Sequence, residues 1–83
     1  ALAPNEAVVH RALAEVLLEA GRIDEAVEAF QRALALAPKD VEALIGLARA
    51  ARRQGDLTLA RQARERALRL DPYHPAVLDL PRD

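Results

Sequence analysis

Apolar residues in this chain recur at the three-to-four-residue spacing of a helix face, and each run stops at glycine or proline. Val9, Leu13, Val16, Leu17 and Ala20 share one face of a first predicted helix, with Asn5 placed to cap it. Gly21 ends that run, because glycine takes the left-handed conformation that closes a helix. Asp24 stands at a capping position for a second helix, whose stripe is Ala26, Ala29, Phe30, Ala33, Leu34 and Ala37. Pro38 closes it, since the residue before proline avoids the helical region. A third helix follows with Asp40 as cap and Leu44, Leu47, Ala48 and Ala51 as stripe, turning at Gly55. Thr58 is the predicted cap of the fourth, whose stripe Ala60, Ala63, Ala67 and Leu70 ends before Pro72. Pro75 suits a first helical turn, and residues 76–80 predict one short turn before Pro81.

The pattern occurs twice. Pro4, Pro38 and Pro72 are evenly spaced, and Gly21 and Gly55 keep the same interval. Laying residues 4–37 on 38–71 gives 10 identities in 34 positions, among them Leu13/Leu47, Ala14/Ala48, Ala26/Ala60 and Ala33/Ala67. Alanine richness inflates such a match, but glycines and prolines in phase are not a product of composition. The chain is therefore read as two copies of a helix pair with short flanks.

Composition agrees and adds exclusions. Of 83 residues, 52% are apolar, yet Phe30 and Tyr73 are the only aromatics, so the core is built from alanine and leucine. Both are strong helix formers, which predicts an all-α fold and argues against a β-sandwich or barrel. There is no cysteine for a disulfide scaffold and no long uncharged apolar run for a membrane span. The sequence begins at Ala1 and holds no methionine, which predicts a piece of a longer protein. Nothing has the pattern of a signal peptide, so the expected location is cytoplasmic.

The 34-residue period, the paired helices, the turn glycines and the closing prolines resemble the tetratricopeptide repeat family. Ala14 and Ala26, then Ala48 and Ala60, stand where that family places small residues at helix crossings. The resemblance implies an α-α superhelix of antiparallel helix pairs over a single domain of residues 1–83. Repeat one would occupy about 5–37, repeat two about 39–71, and a C-terminal turn and stub 72–83. The chain departs from the family pattern where aromatics are common: His10 and Leu44, Leu17 and Ala51, and Arg64, which replaces the equivalent of Phe30. With Arg61 and Arg69, Arg64 gives the fourth helix a polar surface, as the solvated end of a repeat array would need. Leu2, Val8 and Val9, by contrast, make an apolar N-terminal surface that an earlier repeat would cover.

The resemblance also implies that the first helix of each repeat lines a concave groove that binds peptides or helices of other proteins. At 100° per residue, Ile45, Arg49 and Arg52 share the face opposite Leu44, Leu47, Ala48 and Ala51. Val8, Arg11, Glu15 and Leu18 form the matching face of repeat one, with Glu19, Glu42 and Arg53 on the margins. The candidate peptide-binding groove is thus Val8, Arg11, Glu15, Leu18, Glu42, Ile45, Arg49, Arg52 and Arg53. Arg49, Arg52 and Arg53 suit an acidic peptide or a terminal carboxylate, because guanidinium forks pair with carboxylates. They equally suit pairing within the protein, since Glu15 and Glu19 precede Arg49 and Arg53 by one full repeat. A family clamp for acidic chaperone tails would use Arg11, Glu15 and Gly46, and Glu15 would repel a carboxylate. Gly46 itself costs a helix roughly 1 kcal/mol against alanine, for either a close backbone approach or no purpose at all.

Charge and chemistry restrict the alternatives. Residues 1–40 carry net −3 and residues 41–83 net +2, a polarity that favours steering of a partner or head-to-tail association. No broad basic stripe with stacking aromatics is present, so nucleic acid is not an expected partner. There is no serine or cysteine nucleophile, no phosphate loop, and His10 and His74 stand near opposite ends of the chain. The expectation is a protein without catalytic, cofactor-binding or metal-binding residues, and without membrane insertion. Two functions remain: a protein-binding module that holds a partner peptide or helix, and a self-association module in which repeat ends stack or swap between identical chains.

Overall fold

The computed structural model describes residues 6–82. Asn5 as a cap and Leu2 as end surface lie outside the described residues. Four helices of equal length follow one another: α1 (Glu6–Glu19), α2 (Ile23–Leu36), α3 (Val41–Gln54) and α4 (Leu57–Leu70), each of 14 residues. A single turn of helix, α5 (Pro75–Leu78), closes the chain. Successive helices pack on one another, α1 touches α3 directly, and α5 rests on α4. The fold is all-helical, as the pattern predicts, and no helix among the described residues is long and apolar enough to cross a membrane.

The repeat is reproduced bond by bond. Gly21 and Gly55 have φ of 83° and 93°, the left-handed region. After α1, Gly21 N donates to Leu18 O (3.1 Å) and Arg22 N to Leu17 O (2.9 Å). After α3, Gly55 N donates to Arg52 O (3.1 Å) and Asp56 N to Ala51 O (2.9 Å). This paired closure satisfies carbonyls that a helix end leaves bare, and only glycine enters it without strain. The junctions before Pro38 and Pro72 match as well: Ala37 N donates to Ala33 O (2.8 Å) and Asp71 N to Ala67 O (2.9 Å).

Two caps differ from expectation. Asp24 does not cap α2; it lies inside the first turn, where Oδ1 accepts from Gln54 Nε2 at 3.0 Å, and Arg22 fills the cap position without a side-chain capping bond. Thr58 does not cap α4 either. Asp56 does, accepting from Leu59 N at 3.0 Å, because the glycine closure hands the chain over immediately after Gly55. Asp40 caps α3 as predicted, accepting from Ala43 N at 3.3 Å. His74 holds the corresponding place before α5, with Nδ1 accepting from Ala76 N at 3.1 Å. Since Nδ1 accepts here, the ring proton sits on Nε2, which faces Glu42 Oε2 at 3.0 Å.

The core is one cluster centred on α2 and α3, with Phe30, Leu44 and Val77 its largest fully buried side chains. The α2 stripe is buried as predicted apart from half-buried Ala37. In α3, burial extends well beyond the predicted stripe to Ala43, Ile45, Gly46 and Ala50, because helices cover it on several sides. The α1 stripe fails except at Leu17, which is half-buried against the core. Val9 (63%), Leu13 (50%) and Val16 (63%) are exposed, Ala20 is exposed, and only Ala14 on the side toward α2 is fully buried. Leu70 of the α4 stripe is exposed too. Periodicity groups apolar residues on a face; whether another helix covers that face is decided by the neighbours present.

Gly46 has a definite cause. A Cβ built on it would overlap Cε1 and Cζ of the Phe30 ring, so the ring of α2 lies directly on the bare backbone of α3. The close approach is made by this protein's own core, not by a ligand.

Candidate groove on the first helices of the repeats

The candidate groove residues sit on α1 and α3, whose direct contact brings the two sets together. Glycine closures at Gly21 and Gly55 fix where each helix ends, and the Asp40 cap fixes where α3 begins. Val8 is exposed at one end, while Leu18 is half-buried against the core at the other. Ile45 does not line an open surface. It is only 3% exposed and belongs to the core cluster, because α3 is the middle member of the stack.

The charged members fall into engaged and open groups. Arg11 Nη1 lies 3.1 Å from both carboxylate oxygens of Asp40, the residue that caps α3. One carboxylate thus anchors a helix start and a groove guanidinium together, which orients Arg11 and neutralises it. Glu42 pairs with His74, tying the groove margin to α5. Arg53 Nη1 donates to Leu18 O at 3.3 Å, a carbonyl in the last turn of α1 where the helix dipole favours a cation. Sequence spacing pairs Glu15 with Arg49 and Glu19 with Arg53. Among the described residues neither pair forms; Arg53 reaches the α1 carbonyl instead, and Glu15 and Arg49 stay exposed without ionic partners. Arg52 is exposed and engaged in an interaction of its own.

The arrangement presents exposed guanidinium groups from the last two turns of α3 beside the exposed carboxylates of α1. Among the described residues no group of three histidine, cysteine or carboxylate side chains could hold a metal ion. Sequence reasoning missed the double role of Asp40 and the bridging role of His74. Their signal was present, as both occupy the third position of the Pro-x-Asp/His junction that recurs in phase with the repeat, but the bonding partners are remote in sequence.

The model of the tetratricopeptide repeat family matches residues 11–75. The chain belongs to that family. The match runs from the first turns of α1 to the start of α5 and so takes in both helix pairs. No curated protein matches the chain. Tetratricopeptide repeats typically mediate protein–protein interaction and are generally non-catalytic.

Proposed function

We propose that this tetratricopeptide repeat protein is a non-catalytic binding module that holds an acidic peptide or helix of a partner protein across α1 and α3. The observation that carries this reading is Arg49. It is exposed at the centre of the groove face and has no ionic partner among the described residues, while Arg11 and Arg53 are taken up by the protein itself. A solvated guanidinium that does no structural work is available to a carboxylate at little cost in desolvation. Binding to a capped peptide rich in Asp and Leu, read by fluorescence anisotropy, should weaken about tenfold in Arg49→Glu, the size of a lost charge-assisted hydrogen bond. The melting temperature should stay close to that of the parent, because the side chain is exposed. Equal affinity in the two proteins would remove Arg49 from the site.

A second reading rests on a different surface. Val9, Leu13 and Val16 make an exposed apolar row, whereas their equivalents Ala43, Leu47 and Ala50 are buried in the same fold. A second copy of the chain would bury that row by pairing α1 with α1 about a two-fold axis. Sedimentation should then show a concentration-dependent dimer that Leu13→Glu abolishes without lowering stability. A wild-type chain that remains monomeric at high concentration defeats this reading and leaves the groove reading intact.

A further inference from the structure

Two adjoining hollows lie along α4, away from the groove. One, of about 230 Å³, has the buried Leu47 of α3 and the Leu59 and Ala63 side chains of α4 in its lining. The other, of about 290 Å³, is bounded by Pro38 and Lys39 of the turn before α3 and by Leu70. Arg66 and Arg69 line both, so the hollows meet at these two side chains. Leu47 stands on the α3 face opposite Arg49, which separates this surface from the one shared with α1. Each hollow is smaller than the roughly 300–1,000 Å³ of a small-molecule pocket, so it suits single side chains of a peptide better than an enclosed ligand.

The charge of this surface is one-sided. Arg66 is held in place, its Nη2 donating to Pro38 O at 3.3 Å. Lys39 and Arg69 are exposed and have no ionic partner among the described residues. Neighbouring carboxylates do not neutralise them: Asp40 holds Arg11, Glu42 holds His74, and Glu65 lines only the first hollow and forms no ion pair. The fold does not require these residues either. The repeat-one equivalents of Lys39, Leu59 and Arg69 are Asn5, Glu25 and Ala35, yet α1 and α2 pack as a pair just as α3 and α4 do. Cations beside an apolar hollow favour a ligand with carboxylates next to an apolar side chain. We propose that this surface of repeat two is a second binding site, for a short acidic segment of a partner protein. Its carboxylates face Lys39 and Arg69, and its apolar side chain rests against Leu47 and Leu59. The site is independent of the groove reading, since it needs neither Arg49 nor α1.

The probe is the capped peptide N-acetyl-Leu-Asp-Asp-amide, titrated into the whole chain and followed in proton–nitrogen correlation spectra. The backbone amides of Lys39, Gln62 and Arg66 should shift to saturation. Lys39→Glu and Arg69→Glu should each weaken that binding about tenfold, and Lys39→Gln and Arg69→Gln should act in the same direction. Melting temperatures should stay near that of the parent, because both side chains are exposed. Arg49→Glu should leave these shifts unchanged, which separates this site from the groove. A probe with alanine in place of leucine should bind about tenfold more weakly, since the apolar hollow is then left unfilled. Absence of shifts at the three amides overturns the proposal, and so does equal affinity in the charge-reversed variants. Equal binding of the alanine probe overturns it too, because the surface would then attract any polyanion, nucleic acid included.

Discussion

Replacing Phe30 by alanine should destabilise the protein by about 3–5 kcal/mol, the largest loss expected from any single truncation in the chain. The ring is fully buried, it is one of the two aromatic residues in the sequence, and it joins α2 to the next repeat by lying on Gly46. Most of the other residues in its core cluster are alanines, with side chains too short to collapse into the space a missing ring leaves. A domain of this size has a total stability of roughly 5–15 kcal/mol, so the variant should be largely unfolded or melt far earlier. Urea unfolding followed by far-ultraviolet circular dichroism measures the change. A loss below about 1 kcal/mol would show that the contact between repeats does not depend on the ring.

Gly46→Ala is the sharper test, because two principles give opposite signs. Helix propensity alone makes alanine better than glycine by roughly 1 kcal/mol in a helix interior. Packing opposes it: the new methyl would occupy the space of the Phe30 ring, and both groups sit in a closed core. Overpacking costs about 1–3 kcal/mol, and here the overlap involves a ring that has nowhere to retreat, so net destabilisation of about 2 kcal/mol is expected. The same substitution in a Phe30→Leu background should be neutral or stabilising, since the clash is relieved and the propensity gain remains. A double-mutant cycle with no coupling between the two positions would refute the contact.

How far the sequence reaches is visible at these residues. The glycines and prolines marked the ends of α1 to α4 closely, because their backbone limits are local and act regardless of surroundings. The cap of α3 was legible for the same reason. The caps of α2 and α4 were not. Asp24 and Thr58 have the right chemistry, but the glycine closure shifts the handover toward the glycine, and only Asp56 then reaches a free N–H. The candidate groove residues were legible as positions on α1 and α3, apart from Ile45, which the core buries, and their bonds were not legible. Equal spacing suggested that Glu15 would meet Arg49 and Glu19 would meet Arg53, yet flexible side chains choose the best acceptor within reach. For Arg11 that is Asp40, and for Arg53 it is the Leu18 carbonyl.

By itself the sequence determined the number of helices, their order and the repeat that relates them, because these follow from short-range periodicity and from glycine and proline. Of the alanines that the family resemblance places at helix crossings, Ala14, Ala26 and Ala48 are buried and Ala60 is half-buried. Which apolar faces are covered was decided by tertiary structure alone. Val9, Leu13 and Val16 have the same helical pattern as Ala43, Leu47 and Ala50, and one set is exposed while the other is buried. The difference is that α3 has the preceding repeat packed against it, since burial is a property of a pair of surfaces and not of either one. The role of Gly46 was decided in the same way: a residue unfavourable to its own helix is required by a ring on the helix before it.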